Sequence, residues 1–152
     1  MMGQAMVTPP TDAGKAAFRR RLPISRKLGL AAEIVGTYVR ARWLLRRREL
    51  PDAVAALRGD RPLEVPTDGD RLLTGIRLGR TVGRTLGVLP ADSRCLVRSL
   101  VLTSLLARRG IGSVLVIGVK REPDFEAHAW VECSGVSLLP DGETEYGRLA
   151  EF

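Results

Sequence analysis

Ser93-Arg94-Cys95-Leu96-Val97-Arg98-Ser99-Leu100 is the stretch from which the rest of the chain is read. From Cys95 to Arg109 nearly every position is apolar or small, including Leu96, Val97, Leu100, Val101, Leu102, Leu105 and Leu106. A helix apolar almost all round is a buried one, so this segment is expected at the centre of the fold. Asp92 or Ser93 is its candidate N-cap. Arg108 and Arg109 suit its C-terminus, and Gly110 suits the left-handed residue just beyond it. Cys95 falls in the first turn, where the positive end of the helix dipole favours a thiolate. The single histidine of the chain, His128, follows in Ala127-His128-Ala129-Trp130.

Downstream, Ser113 to Val119 is a continuous β-branched run, the pattern of a strand covered on both faces. Lys120 to Asp124, with Pro123, reads as a loop. Glu126 to Cys133 alternates, and Ser134-Gly135 is a two-residue hairpin turn into Val136 to Pro140. Counting outward from that turn, Cys133 opposes Val136, Val131 opposes Leu138, and His128 opposes Asp141. Opposed residues point to one side of a sheet with Cβ atoms about 5 Å apart. The hairpin is therefore expected to have an apolar side, with Ala129, Val131, Cys133, Val136, Leu138 and Pro140, and a side carrying His128 and Asp141. An imidazole can take the thiol proton, and a carboxylate beside it fixes its tautomer and stabilises the imidazolium. Cys95, His128 and Asp141 are the candidate nucleophile, base and orienter, and Glu143 is the reserve for the last role. Cys133 falls on the apolar side and reads as structural.

Upstream, residues 1–23 read as disordered. Ser25 is the candidate N-cap of a long helix ending near Arg48, with Ala31, Ile34, Val35, Tyr38, Ala41, Leu44 and Leu45 on its apolar face. Leu50-Pro51-Asp52 restarts a short helix that stops at Gly59, and residues 61–68 are a linker holding Pro62 and Pro66. Asp70 then caps a third helix whose shared face is Leu72, Ile76, Gly79, Gly83 and Leu86. Its glycines are expected at close helix-to-helix contacts. Gly79 and Gly83 are no dinucleotide fingerprint, because no strand precedes them. Three helices, a buried helix and then an antiparallel sheet make an α+β fold. The 152 residues form one domain, with a helical docking half at 24–88 and a catalytic half at 89–152.

Composition narrows the function. With 45% hydrophobic and 27% charged residues the chain reads as a soluble globular protein. The first residues hold Arg19-Arg20-Arg21 but no apolar core of signal-peptide length, and no apolar run is long enough to span a bilayer. A reducing, cytoplasmic address and free thiols are expected. The net charge of +7 is uneven, because residues 1–94 carry 18 Lys+Arg against 9 Asp+Glu and residues 95–152 carry 6 against 8. A basic half suggests an acidic partner, peptide or nucleic acid. A non-catalytic basic binding module is therefore the competing reading. Against nucleic acid, aromatics make up only 5% and no recognition motif is present. One histidine and two cysteines cannot assemble a metal set, there is no phosphate loop, and no cofactor is expected.

Cys95-Leu-x-Arg-Ser-Leu, Leu105-Leu-Ala-Arg-Arg-Gly-Ile, Val116-Ile-Gly-Val and Ala127-His-Ala-Trp-Val-Glu resemble the lasso-peptide leader peptidases, of the transglutaminase-like, papain-like fold group. The similarity covers about Leu89 to Phe152. It implies a Cys-His-Asp triad that hydrolyses the amide between leader and core of a ribosomally made precursor peptide, with Cys95 as nucleophile and His128 as base. Members often place the acid twelve positions after the histidine, where this chain has Pro140, so Asp141 stands one position off that pattern. Members as short as this one resemble the split form. There a separate leader-recognition protein brings the precursor and a lasso cyclase closes the ring.

Overall fold

Every residue from Ser99 to Ala107 is buried, and that fact organises the molecule. In the computed structural model, which describes residues 24–60, 62–64, 69–88, 94–121, 124–139 and 146–152, these residues belong to α4 (Arg94–Arg108). Three helices, α1 (Ile24–Arg47), α2 (Leu50–Arg58) and α3 (Gly69–Leu86), pack against α4, and strand β2 (Glu126–Cys133) covers it from the other direction. With β1 (Val114–Lys120), β3 (Val136–Ser137) and β4 (Gly147–Glu151), β2 completes a four-stranded antiparallel sheet of order β3-β2-β1-β4. The fold is α+β, as the order of elements implies.

Local chemistry explains the elements. Ile34, Thr37, Ala41 and Leu44 recur at helical spacing and are the buried side of α1. The helix begins at Ile24, so Ser25 lies inside its first turn instead of capping it. Asp70 likewise sits in the first turn of α3. Pro51 opens α2, where its missing N–H costs nothing, and Gly59 ends it at φ 68°. Gly110 ends the α4 segment at φ 69°. Ser104 Oγ donates to the Leu57 carbonyl at 3.0 Å, and Glu33 takes Arg109 at 2.9 Å, tying α1 to the end of α4. Part of the expected linker is pinned. Glu64 makes a parallel bridge to Ile111, with Glu64 N–H donating to Gly110 and Gly112 N–H returning to Glu64.

Two expectations are corrected. The buried residues of α3 are Gly75, Leu78, Gly79, Val82 and Leu86, so Gly79 and Leu86 are buried as expected, but the centre of the face is rotated and Leu72 and Ile76 pack only at its margin. A Cβ at Gly79 would lie 2.1 Å from the Leu138 carbonyl oxygen and 3.4 Å from Leu102 Cδ2. Gly79 thus makes room for the chain leaving β3, while Gly83 has open space beside it. Val136 is 41% exposed rather than part of the apolar side, because β3 is only two residues long at the sheet edge.

Ser134 and Gly135, at φ 52° and 74°, form the hairpin turn, the positive pair a type I′ turn requires. Cys133 pairs with Val136 and Glu132 with Ser137, and Leu138 N–H reaches the Val131 carbonyl at 2.9 Å. The counted register therefore holds as far as Leu138. Residues 1–23, the caps Asp92 and Ser93, and Pro140, Asp141 and Glu143 lie outside the described residues. β4, which no sequence pattern announced, lies along β1, and its register slips by one residue at Leu149, opposite Ile117 and Gly118. Arg58 fastens this end by donating from Nη2 to the main-chain oxygens of Ser113, at 2.7 Å, and Phe152, at 2.8 Å. Among the described residues no helix is long and apolar enough to cross a membrane.

Candidate active site

Cys95 occupies the first turn of α4 and is half-buried against the core. Its backbone N–H is among the four that a helix leaves without an intrahelical partner. One turn further along the same helical face, Ser99 is fully buried and donates from Oγ to the Ala129 carbonyl at 3.0 Å. The Val131 carbonyl, two residues on, bonds to Leu138 beyond β3, so the Ala129 carbonyl points to the same edge of β2. Ser99 thus caps that edge where β3 has ended. This hydrogen bond sets the level of α4 against β2. Cys95 lies one helical turn before Ser99, and His128 is the neighbour of Ala129 on β2.

Ala129, Val131 and Cys133 point into the core. His128, Trp130 and Glu132 alternate with them and stand on the opposite side of β2. The half-buried imidazole of His128 stacks on Trp130, ring centres 6.1 Å apart and planes at 18°, and on Tyr146, at 5.1 Å and 29°. Across the ladder from His128 lies Gly118. A Cβ there would come within 2.8 Å of the Trp130 ring and of Tyr146 Cβ, so only glycine leaves space for both aromatics. The Nε2 atom of His128 is buried and meets no hydrogen-bond partner among the described residues. A buried ring nitrogen without a partner is costly, and it is the atom an orienting acid would satisfy. Asp141 and Glu143 belong to the segment outside the described residues.

Behind the rings runs a charged chain. Trp130 Nε1 donates to Glu132 Oε1 at 2.8 Å, and Arg148 Nη2 reaches both Glu132 oxygens at 2.6 and 2.8 Å. Burial alone would push the Glu132 carboxyl up. The Trp130 and Arg148 hydrogen bonds outweigh it and hold the group below the usual carboxylate range. Cys133 is a different kind of thiol. It is 1% exposed and donates to the Gly112 carbonyl at 3.3 Å. Burial pushes its ionisation up, and a hydrogen bond with Ser134 offsets only part of that.

Of the three expected residues, the structure places Cys95 in the first turn of α4 and His128 on β2, two elements joined by the Ser99–Ala129 hydrogen bond. Sequence reasoning missed the clamp of Tyr146, Trp130 and Gly118. An aromatic two residues beyond the histidine on an alternating strand was the signal for Trp130, and a glycine inside the β-branched run was the signal for Gly118. Tyr146 had none, because β4 itself was not foreseen. A thiol at a helix N-terminus is suited to nucleophilic attack on a carbonyl when an imidazole can take its proton. Neither the comparison with curated proteins nor that with solved structures returned a match. A family model described as the transglutaminase-like superfamily matches residues 35–151, spanning α1 to β4. On that match the chain belongs to the transglutaminase-like superfamily, which includes cysteine proteases.

Proposed function

We propose that this chain is a cysteine peptidase that removes the leader from a ribosomally made lasso-peptide precursor, with Cys95 as nucleophile and His128 as base. The observation that supports the chemistry is the Ser99–Ala129 hydrogen bond, which ties the helix carrying Cys95 to the strand carrying His128. The resemblance of about Leu89 to Phe152 to leader peptidases supplies the substrate class. His128 takes the Cys95 proton, and the thiolate adds to the leader–core carbonyl. The developing oxyanion is met by the free N–H of Cys95. The imidazolium then gives its proton to the leaving amine, the C–N bond breaks, and the core departs. Water, deprotonated by the same imidazole, hydrolyses the thioester and frees the leader carboxylate. Trp130 and Tyr146 keep the ring in one plane through both proton transfers, and Asp141 is the carboxylate assigned to Nε2. A separate recognition protein presents the leader, and a cyclase acts on the released core.

The test combines purified chain, precursor peptide and recognition protein in ¹⁸O-labelled water. Cleavage with label in the new leader carboxylate is the expected result, and Cys95→Ala abolishes it. Transfer of the leader acyl group to an added amine, with no labelled acid, would assign acyl transfer on the same fold. Cleavage persisting in the pure Cys95→Ala protein would remove the enzyme reading altogether.

A further inference from the structure

Leu28, Val35, Val39 and Trp43 are 66, 46, 60 and 53% exposed. Their spacing of seven, four and four residues puts them on one narrow face of α1, away from Ile34, Thr37, Ala41 and Leu44. From Leu28 to Trp43 the only charged side chain among the exposed positions is Arg40. A helix apolar on both faces belongs between two neighbours. Helices α2, α3 and α4 supply one of them, and among the described residues nothing supplies the other.

Two further observations describe the missing neighbour. Gly29 and Gly36 lie beside the exposed stripe with Ala32 between them, and a Cβ at either glycine would meet nothing within 4 Å. Each weakens the helix relative to alanine, and no described residue uses the space. A notch of small residues beside projecting Val and Trp suits the ridge of a second helix. A flat lipid surface gains nothing from such a notch. The charges are equally one-sided. Arg42 donates to the Tyr38 hydroxyl, and the Arg47 guanidinium lies 5.8 Å from the Trp43 ring centre. Among the described residues no carboxylate pairs with Arg42, Arg46 or Arg47, whereas Arg108 and Arg109 share Glu33. Arg26 and Lys27 make the other end of the stripe cationic as well. A second copy of the chain would set cationic end against cationic end in either orientation.

We infer that the outer face of α1 docks an acidic amphipathic helix of a separate protein. Its apolar side lies on Val35, Val39 and Trp43, its backbone approaches at Gly36, and its carboxylates meet Arg42, Arg46 and Arg47. This face is turned away from α4 and Cys95, so the inference goes beyond the peptidase reading and fails or holds separately from it.

Trp43 is exposed and Trp130 is 2% exposed, so emission from Trp43 reports coverage of the stripe. The probes are a synthetic amphipathic helix as long as α1, with a leucine face and glutamate flanks, and its lysine-flanked twin. With the full chain, the glutamate peptide produces a saturable blue shift that weakens with salt, and the lysine peptide produces none. Val39→Glu and Gly36→Leu each weaken binding by about tenfold, while Gly36→Leu unfolds at no lower temperature than the parent. Equal shifts with both peptides, no saturable shift with the glutamate peptide, or unchanged affinity in both variants overturns the inference. So does a shift produced only by phosphatidylglycerol vesicles, or a concentration-dependent dimer that Val39→Glu dissolves.

Discussion

Two thiols in one small chain stand in opposite circumstances. Cys95 is half-buried at a helix N-terminus, while Cys133 is sealed in the core with a carbonyl for company. Iodoacetamide should therefore add once to the native protein, at Cys95, and twice after denaturation, counted by intact mass. Cys133→Ala keeps cleavage activity, and its loss without unfolding would show that the nucleophile is the other thiol. The orienter is tested in the same way. Asp141→Asn removes the charge that steadies the imidazolium, a change that costs about 10⁴ in turnover in a serine-protease triad. A Cys-His pair can begin as an ion pair, so a smaller loss is expected here, measured as kcat with KM held close to wild type. Glu143→Gln should leave kcat nearly unchanged. A crippled Glu143→Gln beside a near-silent Asp141→Asn would move the role to Glu143.

At the scale of elements, α3 separates two glycines that look alike in sequence. Gly79→Ala drives a methyl into the Leu138 carbonyl, a backbone atom with little freedom to move. It should destabilise by about 1–3 kcal/mol or more in urea unfolding. Gly83→Ala enters open space and should stabilise by up to about 1 kcal/mol. Equal effects would mean that α3 does not meet the chain after β3 as described. The pair also shows what the sequence could carry. Hydrophobic period placed α1, α2, α4, β1 and β2, because burial on one face leaves a repeating trace in the residues themselves. The Ser134-Gly135 turn fixed the hairpin as far as Leu138, because a turn dictates register locally. The rotation of α3 had no such trace, since glycine reads as absence until the neighbour that fills its space is known. β4 was hidden for a related reason. Gly147-Arg-Leu-Ala-Glu151 has exposed or half-buried side chains throughout, so no alternation of apolar and polar residues marks it. Of the site, the placement of Cys95 in the first turn of a helix and of His128 on a strand was legible. The aromatic clamp depends on a long-range pairing that local pattern does not encode.

Across the whole molecule, ion pairs that respond to acid tie α1 to the end of α4 and β2 to β4. Hydrogen bonds from Arg109, assisted by its charge and that of Arg108, hold the Glu33 carboxyl below its usual range despite partial burial. Glu132 is lowered in the same sense, with burial outweighed by Trp130 and Arg148. Because these groups bind protons less readily folded than unfolded, their contribution is present above the ordinary carboxylate range. It is lost as pH falls through that range towards the folded values. The thermal midpoint should therefore decline on acidification from about pH 5. Glu33→Gln should start lower at neutral pH and decline less, and an unchanged acid slope in that variant would detach Glu33 from it. The slip of register at Leu149 bears on another matter, the behaviour of many copies together. An open sheet edge invites a neighbour's strand to add to it. Here the β4 edge is short, interrupted by an unpaired residue and flanked by Arg148 and Glu151, while the opposite edge offers only Val136 and Ser137. Among the described residues neither side presents a straight row of vacant N–H and C=O groups, a pattern that resists growth of the sheet into a fibre.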